Sequence, residues 1–256
     1  MPKLSVVIIT FNEEANILRT LESVKSFADE IVVVDSISTD HTVSLCRDFG
    51  CRVYSREFDG YGTQKQFAVD QASNDWVFSI DADEVVTGEL QKEIIALFTD
   101  TSGSGIRHPA YRIRRTLHFM GRILRHSGVG KEFLLRIFDR TKGRFTNVAV
   151  HEGIEVNGSS GMLHGCLIHF SYQNIAHHLE KINSYTSLAA KGYSEQGRSF
   201  SKIWAAVKFP TSFISFYILK GGFLDGYPGF MWSFLAATYA TLKIAKTIEL
   251  KQEQCP

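Results

Sequence analysis

Asp81-Ala82-Asp83 and the adjoining Glu84 follow the apolar run Trp76–Ile80 without a break. Carboxylates at that spacing offer hard oxygen donors to a divalent cation, and such a cation is what a departing diphosphate needs to neutralise its growing charge. An Asp at the end of a strand can equally cap a helix or make a turn, and a lone Asp-x-Asp is common by chance. Position decides what the motif is worth, so the elements that carry it come next.

Leu4–Thr10 is a short β-branched apolar run, the pattern of a strand buried on both faces, and Glu30–Asp35 repeats it. Between them Ile17, Leu18, Leu21 and Val24 fall on one helical face. The polar loop 36–40 leads into a helix over His41–Phe49, Cys51–Tyr54 reads as a third strand, Gly62–Ala72 as a helix and Trp76–Ile80 as a fourth strand. Strands alternating with ten-residue helices predict an α/β fold with a parallel sheet and helical crossovers, and such sheets bind ligands beyond the carboxyl ends of their strands. Asn12, Asp35 and Asp81 all stand at those ends. Ala110–Arg115, Phe133–Asp139 and Gly153–Val156 read as extended pieces of a smaller mixed or antiparallel region, and helical patterning returns from Tyr172. The expected division is a catalytic domain over 1–170 and a helical extension over 171–256.

Charge is unevenly spread. Residues 1–106 carry 8 Lys/Arg against 18 Asp/Glu, residues 107–170 carry 11 against 4, and residues 171–256 carry 9 against 5, for a net +1. An acidic half beside a basic half suits a cleft holding a metal and a polyanion, or separate solvated faces. Arg125 with His126, and Arg136, are the candidates for gripping a diphosphate or a phosphorylated partner, since guanidinium forks fit such groups. Nucleic acid is a poor partner for a nearly neutral chain with no recognised nucleic-acid module. Dinucleotide binding is excluded by the lack of G-x-G-x-x-G after Leu4–Thr10, and Thr10-Phe11-Asn12-Glu13 is too acidic for the phosphate loop of a nucleotidyltransferase. The four cysteines show no C-x-x-C or zinc spacing, and Met1-Pro2-Lys3-Leu4 runs straight into a strand, so the expected compartment is the cytoplasm.

The motifs Ser5–Glu14, Val34-Asp35-Ser36 with Ser38-Thr39-Asp40 and Thr42, and Asp81-Ala82-Asp83 together resemble the N-terminal half of family 2 glycosyltransferases of the GT-A fold. Gly60–Gln66, Arg125–Gly128, Val150-His151-Glu152 and Phe223–Gly226 resemble the branch that contains bacterial lipopolysaccharide-core β-1,4-glucosyltransferases, and the motifs span roughly residues 4–250. The resemblance implies a nucleotide-sugar donor, a UDP-hexose such as UDP-glucose, and a lipopolysaccharide-core, glycolipid or other cell-surface glycan acceptor. It implies a cofactor, Mg2+ or Mn2+, with Asp83 as its main ligand and His169 completing the site. Thr10, Glu13 and Asp35 would line the nucleoside pocket, Lys65 would lie near base or phosphates, and Asp81 would touch ribose or metal. The reaction would invert the anomeric centre with a carboxylate as base. Glu152 is the candidate, between Val148-Ala149-Val150 and Gly153, with Asp139 and Glu132 as competitors. The family's base commonly sits in a Glu-Asp pair, whereas this chain has His151-Glu152-Gly153. A catalytically silent nucleotide-sugar-binding protein and a nucleotidyltransferase are the alternatives.

Phe209–Leu219 and Gly226–Leu242 carry no charge, and the second is at the lower limit for a spanning helix and broken by Pro228 and Gly229. Their aromatics and the flanking Lys208, Lys220, Lys243 and Lys246 predict a helical pair lying in the interface of the inner membrane's cytoplasmic face, or else helices that pack on the catalytic domain or form a homodimer contact.

Overall fold

A computed structural model describes residues 2–100, 105–130, 132–146 and 153–254. The chain resolves into two units, one of 1–116 and 131–169, the other of 117–130 and 170–256.

In the first unit, β1 (Leu4–Thr10), α1 (Ile17–Val24), β2 (Glu30–Asp35), α2 (Thr42–Asp48), β3 (Arg52–Ser55), α3 (Tyr61–Asp70) and β4 (Trp76–Asp81) follow the expected alternation. β3, β2, β1 and β4 lie side by side and parallel. Strand periodicity sorts their side chains. Val6, Ile8, Val33, Phe78 and Ile80 face a core shared with Ile17, Leu21 and Val24 of α1, while Val7, Val32, Val34 and Val77 face Ala68 and Val69 of α3. Helices therefore cover both faces of the sheet. Burial lifts the Cys46 thiol to about 12, with Cys51 and Asp35 adding to it, so this cysteine serves as packing rather than as a nucleophile.

The next segments are β5 (Glu84–Val86), α4 (Gly88–Thr99), β6 (Ala110–Phe119), β7 (Arg122–Leu124), β8 (Glu132–Asp139), β9 (Gly143–Phe145), β10 (Ile154–Val156) and β11 (Ser160–His169). Here the structure corrects the expectation of a separate smaller region. β8 adds antiparallel to β4, β6 to β8, and β11 and β5 complete the same sheet, in the order β3-β2-β1-β4-β8-β6-β11-β5. Strand periodicity predicts a strand but not which neighbour it joins. Among the described residues only β9 and β10 form a ribbon of their own.

β11 is absent from the sequence reading, because Gly161 and Gly165 look like turn residues. Both are there for close packing: a Cβ on Gly161 would stand 2.6 Å from the Tyr111 ring, and one on Gly165 would stand 2.5 Å from the Leu90 backbone in α4. Gly161, Leu163, Gly165 and Leu167 alternate inward, as a strand requires. The Glu93 carboxylate of α4 accepts the N–H groups of His164 and Gly165, which fixes the helix on the strand.

The second unit holds α5 (Ile175–Glu195), α6 (Lys202–Ile214) and α7 (Gly226–Gln254). α6 runs on through one wider turn, Ser215–Leu219, and a short tight turn over Gly222–Asp225 leads into α7. Leu117, Phe119 and Leu124 form its core with Ile182 and Leu235. His178 stacks on Tyr172 at 3.7 Å, and burial, helped by Lys181 and His177, lowers its pKa to about 4. Asp225, 2 % exposed, accepts the N–H groups of Arg125 and His126, so two of the motifs singled out in the sequence meet directly. Gly229 admits the Gly222 carbonyl to a point 2.0 Å from where a Cβ would be. Among the described residues no helix is long and apolar enough to cross a membrane.

Gly165→Ala should destabilise the protein by about 1–3 kcal/mol, because backbone rather than a pliable side chain fills the space. Gly192→Ala in α5 meets nothing within 4 Å and should stabilise by about 0.4–1 kcal/mol. Thermal unfolding of the two variants beside the parent should move Tm in opposite directions.

Candidate active site

The carboxyl ends of β1, β2 and β4 lie in register, with Thr10 beside Asp35 and Ile9 beside Asp81. The two loops above them are stapled together. Asn12, at φ 53°, donates its N–H to Ser38 Oγ and accepts the Thr39 N–H on Oδ1. Glu13 and Glu14 donate their N–H groups to Thr42 Oγ1 and Asp40 Oδ2. Asp35 is buried and takes both the N–H and the hydroxyl of Ser38. Glu13 accepts from the Asn16 amide. Thr10 Oγ1 is buried and meets no hydrogen-bond partner among the described residues, so a donor or acceptor from a bound molecule would be welcome there.

α3 rises towards the same edge. Gln64 donates to Ser36 Oγ, and Lys65 Nζ lies 2.9 Å from Asp81 Oδ1. From the other side β8 delivers Arg136, whose Nη2 meets Asp81 Oδ2 at 3.0 Å and Glu84 Oε1 at 2.6 Å. Arg115 on β6 adds contacts to Glu84 at 3.5 Å and Glu132 at 2.9 Å. Glu84 Oε2 accepts the Asp81 N–H, so the acidic turn is closed on itself. Burial works against ionised Asp81, but Arg136 and Lys65 outweigh it and hold the carboxyl well below the usual range. Burial wins at Glu84: its pKa is raised, with Arg136 opposing and the Asp81 charge assisting. The geometry gives Arg136, 5 % exposed, two carboxylate partners, Asp81 and Glu84.

Asp83 has a partner of its own. Its Oδ2 lies 3.1 Å from His169 Nε2, because β11 pairs antiparallel with β5 and sets His169 opposite Glu84. The two residues read as metal ligands 86 positions apart are therefore neighbours. A carboxylate oxygen and an imidazole nitrogen are donors that Mg2+ or Mn2+ accepts, oxygen preferentially. No third His, Cys, Asp or Glu joins them among the described residues, so oxygens of a bound molecule and water would have to fill the remaining positions.

The competing bases separate cleanly. Asp139 lies opposite Trp76, at the start of β4 and so at the far end of that strand from Asp81, and its carboxylate is held by Thr141 and Lys142. Glu132 sits with Arg115 on the side of Asp81. Glu152 lies outside the described residues. Arg125 belongs to the second unit, where its N–H is given to Asp225. Glu84 and Arg115 were visible in the sequence only as one more acid and one more base; their registers, Glu84 with His169 and Arg115 with Glu132, carry the information.

The chain matches the model of glycosyl transferase family 2 over residues 5–157. It is similar to the uncharacterized glycosyltransferase RT0209 of Rickettsia typhi, 34% identical over 98% of this chain and 88% of the relative. It is likewise similar to the lipopolysaccharide core biosynthesis glycosyltransferase LpsC of Rhizobium meliloti, 33% identical over 96% of this chain and 93% of the relative. Among solved structures, residues 1–349 of S. aureus TarS superpose with a TM-score of 0.50 at 15% identity, covering 99% of this chain and 92% of that one. The fold is GT-A. With the family matched over more than half of its length and relatives a third identical over nearly all of this chain, it belongs to glycosyl transferase family 2.

Proposed function

We propose that the chain transfers a hexose, glucose in the first instance, from a UDP-sugar to a lipopolysaccharide-core or other cell-surface glycan, with inversion at the anomeric carbon. The observation that carries the reading is the Asp83–His169 pair standing beside the buried Lys65–Asp81–Arg136 cluster at the carboxyl edge of the sheet. The name of the relative LpsC supports the acceptor class.

Each group then has a task. Thr10 Oγ1, Glu13 and Asp35 line the nucleoside pocket over β1 and β2, with the stapled loops fixing its floor. Asp81, kept ionised by Lys65 and Arg136, accepts a hydrogen bond from a ribose hydroxyl. Asp83 and His169 hold a divalent cation, which when bound neutralises charge on the diphosphate. Glu152 takes the proton of the acceptor hydroxyl. The acceptor oxygen bonds to the anomeric carbon, and the bond to the diphosphate oxygen breaks with its electron pair leaving on the nucleotide.

The nucleotidyltransferase alternative loses ground on one observation. The N–H groups of Asn12, Glu13 and Glu14, where a phosphate loop would present its donors, are already given to Ser38, Thr42 and Asp40.

Asp83→Ala should abolish transfer while leaving the circular dichroism and Tm near the parent's, and EDTA should do the same to the parent. Transfer surviving both treatments would refute the metal-dependent reading. Glu84→Ala, one residue on, leaves the buried guanidinium of Arg136 with Asp81 as its remaining carboxylate partner and should instead cost about 1–3 kcal/mol of stability, a fall in Tm of roughly 5 °C. Glu152→Gln should leave donor binding intact and lower kcat by about 10²–10⁴-fold. A loss confined to KM would shift the base to Glu132.

A further inference from the structure

The lysine-bordered segments of the second unit are sorted by the structure into groups that face inward and groups that face out. Phe209, Phe213 and Tyr217 pack against Phe230 and Phe234 of α7, at ring separations of 5.4–5.7 Å, and hold α6 and α7 together. Lys246 is committed to Asn183 and Ser187, and Lys243 lies over Tyr193 and Tyr239. These contacts give each of them a partner within the chain.

What faces out is different. Ile203, Trp204, Val207 and Ile214 form an exposed stripe at helical spacing along α6. At the turn into α7, Leu219 is 77 % and Tyr227 64 % exposed, with Ile218, Phe223 and Leu224 about half exposed beside them. Large apolar side chains gathered at a helical turn are too costly in water to be an ordinary solvated tip. Lys208 and Lys220 stand among them, their ammonium groups over the rings of Trp204 and Phe216.

Charge chooses the occupant. Between Glu195 and Glu249 the sequence holds Arg198, Lys202, Lys208, Lys220, Lys243 and Lys246 and a single acid, Asp225. That acid is buried and spent on Arg125 and His126. A two-fold contact between copies of this patch would set Lys208 and Lys220 against their own equivalents with no carboxylate to offset them. An anionic lipid surface satisfies both features: its headgroups meet the lysines and its upper acyl region takes the apolar turn. We propose that the turn 218–227 and the outer stripe of α6 dock on an anionic bilayer surface. This goes beyond the proposed chemistry by making the surface that carries a glycolipid acceptor a partner in its own right, and it does not depend on which sugar is moved.

Co-sedimentation with phosphatidylcholine vesicles containing about a third phosphatidylglycerol tests it, at NaCl of about 0.1 M, where the Debye length is about 10 Å. The parent should pellet with these vesicles, far less with pure phosphatidylcholine, and be released as salt rises. Lys208→Glu with Lys220→Glu should weaken binding by at least about 25-fold, roughly a factor of five for each lysine removed. Leu219→Ser with Phe223→Ser should weaken it by about tenfold or more. The variants change side chains that are exposed or, at Lys208, half-buried, so their circular dichroism and donor hydrolysis should match the parent's, and Asp83→Ala should bind vesicles as the parent does. Failure of the glycosyl-transfer reading would leave these binding results untouched. No pelleting with the anionic vesicles, or equal pelleting of all variants, would overturn the proposal. A dimer in sedimentation velocity that Leu219→Ser with Phe223→Ser dissolves, without vesicle binding by the parent, would overturn it in favour of self-association.

Discussion

The guanidinium of Arg136 is the interaction on which the catalytic edge depends. It is buried between Asp81 and Glu84, two carboxylates so close that one accepts the other's N–H. Two such anions could not both stay ionised in that setting without a cation between them. Remove the guanidinium in thought, and the acidic turn would have to protonate or open to water. With it in place, Lys65 and Arg115 add to the cluster and Glu132 closes it. The carboxylate of the turn that the cluster leaves to His169 is Asp83. The ion network thus does more than stabilise: it ties Glu84 to Arg136 and Asp81 to Lys65 and Arg136, while Asp83 meets His169.

That network also explains why the charge is distributed along the chain as it is. The acidic first 106 residues and the basic stretch after them are interleaved by topology, because β8 and β6 insert beside β4 and bring Arg136 and Arg115 to Asp81 and Glu84. Part of the apparent asymmetry is therefore internal pairing, neither a polyanion cleft nor a set of solvated faces.

The parallel half of the sheet was legible because strands buried on both faces write continuous β-branched runs, and Leu4–Thr10 and Glu30–Asp35 leave no other interpretation. The Asp83–His169 pair was legible through family resemblance, and its geometry follows from β5 pairing with β11. β11 itself was hidden, since Gly161 and Gly165 serve neighbours, Tyr111 and Leu90, that no local pattern names. Arg136 reads from sequence as a group that could grip a phosphate, and its contacts with Asp81 and Glu84 could not be read there, because they depend on β8 pairing with β4. The aromatic segments near the C-terminus showed a third limit: periodicity reveals an apolar helix, but only the partner helix shows which of its rings are already covered.

The bond from Asp225 to the N–H groups of Arg125 and His126 spans about 100 residues of sequence. During synthesis at roughly 5–20 residues per second, Asp225 is made about 5–20 s after its partners. Throughout that interval the 125–126 backbone must be satisfied by water, and Leu117, Phe119 and Leu124 wait without the helices that complete their core. The first unit is interrupted by this segment and the second cannot close until its own final helix is made. The order of translation therefore leaves the middle of the chain as the last part to be buried, the stretch most in need of protection from premature association while the ribosome is still at work.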